Sequence, residues 1–105
     1  MKETVTSVNG IAIRLTDERW AHITEEHSEL AAMRFKVLET IAEPNVIYEG
    51  NDRENLAIRE IETGKFLVAV SRELQTDGFI ITAFLTRRVK SLEEREICYG
   101  RRRNK

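Results

Sequence analysis

The sequence predicts an α+β fold in which two N-terminal helices pack on a four-stranded antiparallel meander sheet. Apolar residues recur at helical spacing between positions 17 and 42, whereas beyond Pro44 they alternate with a period of two. The links between the alternating segments are short and contain turn residues, which favours antiparallel neighbours. A short strand before the helices and a short helix near the C-terminus complete the expected architecture.

The first helix follows a segment, Gly10 to Leu15, whose alternation suits a short half-buried strand. Thr16 can accept a backbone hydrogen bond as an N-cap, and the two acidic residues after it match the positive end of the helix dipole. The helix is therefore predicted to begin at Asp17. Its core-facing stripe is expected to consist of Trp20, Ile23 and His27.

The second helix is predicted to start at Ser28 or Glu29 and to run to Ala42. Pro44 ends it, because proline disfavours helical geometry in the residue before it. The expected buried stripe of this helix is Leu30, Met33, Val37, Leu38 and Ile41.

Four strands are predicted beyond Pro44, at residues 46–49, 56–62, 65–72 and 79–86, with Thr63-Gly64 as a two-residue hairpin turn. The last two are apolar on both sides and should be central. In the fourth, alternation puts Phe79, Ile81, Ala83 and Leu85 on one face and Ile80, Thr82, Phe84 and Thr86 on the other. The helices would cover one face of the sheet. The other face would be covered by the N-terminal strand, the C-terminal segment or a partner subunit. The spacing of Ser91 and Glu94 predicts a capping box for the last helix.

The chain is expected to form a single domain over residues 1–97, followed by a basic tail at 98–105. Residues 1–62 carry 7 Lys or Arg against 13 Asp or Glu, a charge of −6, whereas residues 63–105 carry 10 against 5, a charge of +5. This asymmetry indicates either a polyanion-binding face or charge spread over solvated surface. The lone Cys98 and the lack of an apolar leader or membrane-length run favour a cytoplasmic protein without membrane contact.

The only two histidines, His22 and His27, lie on the first predicted helix. Histidine gives and takes protons near neutral pH, so any chemistry is expected to start here. Five residues separate the two positions, which corresponds to about 140° around a helix, so they cannot share one metal ion without distortion. No phosphate-binding glycine loop or nucleotide fingerprint is present, and neither metal nor cofactor is expected.

A candidate site would need the fold to assemble His22 with residues of the second and fourth strands. These residues are Arg59, Thr82, Thr86, Arg87 and Arg88. His22, Arg59 and Thr82 each also have a structural interpretation. His22 could pair with Glu25 or Glu26, Arg59 could bind a helix glutamate, and the Thr82 hydroxyl could bond to backbone.

The sequence resembles a family of small prokaryotic and phage proteins of the Barnase, EndoU, colicin and RelE-like nuclease superfamily. The resemblance covers roughly Gly10 to Val89 and is carried by four elements. They are the stretch Ile13 to Ile23 with His27 following, the Glu43 to Ile47 helix end, Arg59, and the strand Phe79 to Thr86.

The resemblance implies metal-independent RNA cleavage by attack of the ribose 2′-hydroxyl on the adjacent phosphorus, in the manner of a toxin from a toxin–antitoxin pair. It assigns His22 as acid or base, Arg59 as phosphate clamp and Thr82 as hydrogen-bond donor. Thr86, Arg87, Arg88 and His27 are expected to bind substrate.

The alternative is a non-catalytic interaction module of the same fold that dimerises through its sheet. The nuclease hypothesis predicts that His22, Arg59 and Thr82 line one basic cleft. The module hypothesis predicts that the three residues are scattered or paired internally, and that the surface carries an exposed apolar patch instead. The expected partners are accordingly RNA and a cognate antitoxin, or a second copy of the chain.

Overall fold

The computed structural model describes residues 2–93 and 95–100, in which a seven-stranded mixed sheet carries two helices on one face. The strands are β1 (Lys2–Thr6), β2 (Ala12–Thr16), β3 (Val46–Glu49), β4 (Asn55–Glu62), β5 (Lys65–Glu73), β6 (Asp77–Thr86) and β7 (Ile97–Gly100). The helices are α1 (Asp17–Glu26), α2 (Arg34–Ala42) and the single turn α3 (Lys90–Glu93), with a 3₁₀ turn at Ser28–Leu30.

The fold is α+β, but the predicted four-stranded antiparallel meander is wrong. The strand order is β1-β2-β6-β5-β4-β3-β7, so β1 and β2 extend the sheet beyond β6 and β7 extends it beyond β3. The β2–β6 pair is parallel, and the other pairs are antiparallel. Two strands escaped prediction because β1 is mostly charged or threonine and β7 has four residues. Neither shows a clear apolar period.

Helix α1 begins where the sequence predicts. The Thr16 side chain accepts a hydrogen bond from the Arg19 amide at 3.1 Å, while extended backbone at Thr16 ends β2. Asp17 and Glu18 occupy the first turn, where their charge stabilises the helix dipole. The Thr16 cap therefore fixes the direction in which α1 leaves the sheet.

The second helix does not start at Ser28 or Glu29 as predicted. A 3₁₀ turn occupies Ser28–Leu30, the backbone at Met33 departs from helical angles, and α2 begins at Arg34. The buried stripe survives this break, because Leu30 lies in the core and Met33 packs against it. The apolar periodicity therefore predicted which side chains are buried, but it did not predict where the hydrogen-bonded helix begins.

The sheet separates two apolar clusters. The helix-face cluster joins residues of α1 and α2 to Ile13, Leu15, Leu67, Ala69, Ile80 and Ala83. The opposite-face cluster contains Val46, Tyr48, Ile58, Phe66, Val68 and Val70. Val89, Leu92 and Ile97 pack on the latter. The C-terminal segment thus covers the second face, and the N-terminal strands join the edge of the sheet instead.

A β-bulge in β6 interrupts the predicted alternation of faces. Val70 lies opposite Thr82 and Ser71 lies opposite Ile80, which leaves Ile81 as the extra residue on β6. Ile80 therefore joins Ala83 in the helix-face cluster, whereas Ile81 packs on the opposite-face cluster. The predicted assignment of Ile80 and Ile81 to faces is wrong for this reason.

Two features of the C-terminal segment differ from the predictions. Strand β7 pairs with β3 and includes Cys98, Tyr99 and Gly100, the first residues assigned to the basic tail. Helix α3 begins at Lys90, one residue before the expected cap Ser91. Glu94 of the predicted capping box and residues 101–105 of the predicted tail lie outside the described residues.

Arg34 ties the N-terminal strands to both helices. Its Nε lies 2.6 Å from Glu3 Oε1 and its Nη1 lies 2.8 Å from Asp17 Oδ1. Its Nη2 donates to the Leu15 carbonyl at 3.3 Å. One half-buried guanidinium thus contacts β1, β2 and α1 from the first turn of α2.

We expect Arg34→Met to lower the free energy of unfolding by about 1–2 kcal/mol, because methionine keeps the stem but removes every charge-assisted contact. Urea denaturation followed by circular dichroism measures the change. The matched control is Lys36→Met in the same turn of α2, where the side chain is exposed. Equal loss in both variants would contradict the assigned role of Arg34.

In the described part of the chain, no helix is long and apolar enough to cross a membrane.

Candidate functional site

A groove of about 550 Å³ opens between α1 and β6 and contains both histidines of the chain. It is lined by Arg19, His22, Ile23, Glu26, His27, Ile81 and Thr82. The groove therefore combines two imidazoles, a guanidinium, a carboxylate and a hydroxyl over an apolar floor.

The α1 side of the groove follows from helical spacing. Arg19, His22, Ile23 and Glu26 stand at i, i+3, i+4 and i+7, which places them on one face of the helix. Ile23 is buried in the helix-face cluster and anchors that face to the sheet. The polar residues beside it are thereby held over β6.

The β6 side of the groove arises where strand pairing stops. Strand β2 pairs with β6 at Asp77, Gly78 and Phe79, while β5 pairs with β6 as far as Thr86. From Ile80 onward no described strand pairs with the edge of β6 that faces away from β5, and α1 lies beside that edge. The bulge at Ile81 falls here, and bulges commonly redirect side chains next to functional sites. It brings Ile81 and Thr82 into the groove as neighbours.

The two histidines meet because His27 is not part of the helix. Its backbone has φ −132° and ψ 71°, so α1 ends at Glu26 and the 140° helical separation does not apply. The His27 ring lies 6.1 Å from the Phe84 ring, centroid to centroid. A break in the helix thus returns the second imidazole to the groove that holds the first.

Each imidazole faces a carboxylate outside the groove lining. His22 Nδ1 lies 3.8 Å from Glu25 Oε1, and His27 Nδ1 lies 3.8 Å from Glu29 Oε2. Both contacts are ion pairs when the imidazole carries its proton. The His22 side chain is 65% exposed and that of His27 is 32% exposed, so the two differ in access to solvent. The His22–Glu25 contact is the one that the structural interpretation predicts.

Arg59 does not line the groove. It lies opposite Leu67 of the helix-face cluster, whereas Thr82 lies opposite Val70 of the other cluster, so the two residues stand on opposite faces of the sheet. The Arg59 guanidinium donates to the Glu43 carbonyl and lies 3.8 Å from the Glu43 carboxylate. The groove that contains His22 therefore lacks the expected Arg59.

We expect Arg59→Ala to lower the free energy of unfolding by about 0.5–1.5 kcal/mol, because it leaves the Glu43 carbonyl at the end of α2 without its donor. Thermal unfolding of the variant, compared with Arg53→Ala in the exposed β3–β4 loop, measures the change. A stability equal to that of the control variant would show that the Glu43 contact contributes nothing.

Arg87 and Arg88 line a second hollow of about 410 Å³, which we call the β5–α3 hollow, and Thr86 directly precedes them in the chain. It is lined by Gly64, Phe66, Arg87, Arg88, Val89, Lys90 and Glu93. The Thr86 hydroxyl accepts from the Arg88 amide at 2.9 Å and thereby shapes the turn after β6. These three predicted residues therefore lie together, but apart from the histidines.

Cys98 lies on β7, which is separated from β6 and the groove by three strands of the sheet. Partial burial raises the pKa of its thiol, and the carboxylates of Glu49, Glu96 and Glu73 raise it further. Little thiolate forms at neutral pH in such surroundings, which makes Cys98 a poor nucleophile.

Sequence reasoning missed Arg19, Glu26 and Ile81 as site residues. The first two share the i, i+3, i+4, i+7 spacing with His22 and Ile23, a signal present in the sequence. Among the described residues, no group of three or more His, Cys, Asp or Glu side chains is placed to hold a metal ion.

Comparison of the chain with protein-family models, with curated proteins and with solved structures finds no match.

Proposed function

We propose that this protein is a metal-independent RNA endonuclease whose reacting centre is the groove between α1 and β6. The observation that carries the proposal is the meeting of His22 and His27, from a helix and from the residue that ends it, in one groove with Arg19 and Thr82. The resemblance of the sequence to the Barnase, EndoU, colicin and RelE-like nucleases supports the same reaction.

Two imidazoles supply what phosphodiester cleavage requires. One accepts the proton of the 2′-hydroxyl as its oxygen attacks phosphorus, and the other donates a proton to the departing 5′-oxygen. The new P–O2′ bond replaces the broken P–O5′ bond, which leaves a 2′,3′-cyclic phosphate and a 5′-hydroxyl. The Glu25 and Glu29 carboxylates each lie 3.8 Å from an Nδ1 atom, that of His22 and that of His27 respectively, and can orient the two rings.

Arg19 takes the role of phosphate clamp that the resemblance implies for Arg59. Its guanidinium lines the groove, and such a fork binds two oxygens of a phosphate at once. Thr82 can donate a hydrogen bond to a phosphate oxygen as negative charge develops there. Glu26 also lines the groove and offsets part of its positive charge.

The net charge of the chain is −1, so phosphate attraction over the whole surface is weak. Substrate capture must then rest on local cations, of which Arg19 is the one in the groove. The proposal includes a cytoplasmic location, RNA as substrate and an antitoxin as regulatory partner.

The test is incubation of the purified chain with a mixed RNA pool in EDTA, followed by end-group analysis. We expect cleavage products with 2′,3′-cyclic phosphates, and no cleavage of matched DNA, which lacks the attacking hydroxyl. Absence of RNA cleavage, or products with 3′-hydroxyl ends, would refute the proposal.

One observation favours the alternative of a non-catalytic module. Arg59 is paired internally with Glu43, as that alternative predicts. Among the described residues, the large exposed apolar side chains lie in three separate segments, with Phe35 on α2, Leu74 just after β5 and Tyr99 on β7. Light scattering decides the matter if RNA is not cleaved, because a module that dimerises through its sheet would show twice the chain mass.

A further inference from the structure

The β5–α3 hollow has a cationic rim and an apolar floor. Phe66 and Val89 are buried beneath it, and the side chains of Arg87, Arg88 and Lys90 are exposed around it. Its volume of about 410 Å³ lies within the range of small-ligand sites. A ligand that matches both surfaces needs a flat or apolar body joined to an anion.

We propose that the β5–α3 hollow is a nucleotide subsite that anchors an RNA strand away from the point of cleavage. The base would lie on the floor formed by Phe66 and Val89, and its phosphate would bind Arg87, Arg88 and Lys90. The inference rests on the proposed nuclease function, because it makes this nucleotide part of the strand that is cleaved in the α1–β6 groove.

The register of the sheet connects the two places. Thr86 lies opposite Phe66 and Thr82 lies opposite Val70, and both partners belong to the opposite-face cluster. Thr82 and Thr86 are therefore on the same face of β6, separated by four residues, or about 14 Å of extended strand. One single strand can reach from the groove to the hollow without crossing the sheet.

Phe84 lies between these two positions on the same strand. Its ring packs partly on the opposite-face cluster and contacts the His27 ring. Aromatic surfaces of this kind stack unpaired bases, whereas a duplex keeps its bases covered. The path along β6 therefore fits single-stranded RNA.

The charges around the hollow favour the binding of an anion, even though Glu93 also lines the hollow. Three cationic side chains surround one carboxylate, and Glu93 is buried whereas the cations are exposed. The hollow therefore adds local positive charge to a chain that carries a net charge of −1. An anchor at this point explains how a nearly neutral nuclease could hold its substrate.

The test measures binding separately from cleavage, with a fluorescent single-stranded 2′-O-methyl RNA that lacks the attacking hydroxyl. For the double variant Arg87→Ala, Arg88→Ala we expect at least about tenfold weaker binding. The slope of the logarithm of the binding constant against the logarithm of the salt concentration should become smaller in magnitude by about 1.4, because two phosphate contacts are lost. The control is Lys36→Ala, Arg53→Ala, which removes the same charge at exposed positions that line neither hollow nor groove. It should bind as the wild type does.

Equal weakening in both double variants would show diffuse attraction and overturn the subsite, as would equal binding of a duplex of the same sequence. If RNA is cleaved but loss of Arg87 and Arg88 leaves binding unchanged, the subsite fails and the nuclease stands. If the oligonucleotide binds with the expected dependence but RNA is never cleaved, the nuclease fails and the anchor remains.

Discussion

Replacement of His22 or His27 by alanine is expected to lower the rate of RNA cleavage in EDTA by about 10²–10⁴-fold, the usual contribution of one general acid or base. Both imidazoles line the groove between α1 and β6, and each is assigned one of the two proton transfers. Because the two act as a unit, the double variant should lose little more than the slower single variant. Initial rates on a defined single-stranded RNA measure the effect.

The matched control is Glu18→Gln, which changes an exposed residue on the same helix outside the groove and should leave the rate near that of the wild type. Added imidazole should partly restore cleavage to His22→Ala, since the exposed position leaves room for it. Cleavage at the wild-type rate in both alanine variants would remove the histidines from the mechanism.

Leu67→Ala is expected to lower the free energy of unfolding by about 2–5 kcal/mol, through lost burial and the cavity left behind. Leu67 is 0% exposed on β5, and its side chain belongs to the cluster that joins the sheet to the helices. The loss is a large fraction of the stability of a domain of this size. Urea denaturation monitored through Trp20 fluorescence measures it.

Leu74→Ala provides a control of the same chemistry. Leu74 follows β5 immediately and is 50% exposed, so its truncation should change the free energy of unfolding by no more than about 0.5 kcal/mol. Similar losses at Leu67 and Leu74 would show that the layer between sheet and helices is not the main core.

Local chemistry allowed the sequence to predict some elements accurately. The Thr16 cap and the acidic residues after it determine the start of α1, and turn residues locate the β4–β5 hairpin. The outer strands could not be predicted in the same way. Strand β2 finds its partner β6 across most of the chain, and no local pattern reports which distant strand will pair with it.

The candidate site shows the same division. His22 and Thr82 were expected to approach each other, and the groove contains both. The expected partner Arg59 does not line the groove. It lies on β4, two strands away from β6, where it binds Glu43 at the end of α2, and no local pattern in the sequence reports that contact.

The parallel pairing of β2 with β6 also determines when the fold can be completed during synthesis. Arg14 and Asp77 bind each other although 63 positions separate them in the chain. The ribosome therefore releases α1 and both histidines long before the strand on which they must settle. Since long-range pairs form late, the groove between α1 and β6 is expected to form only after β6 has left the ribosome.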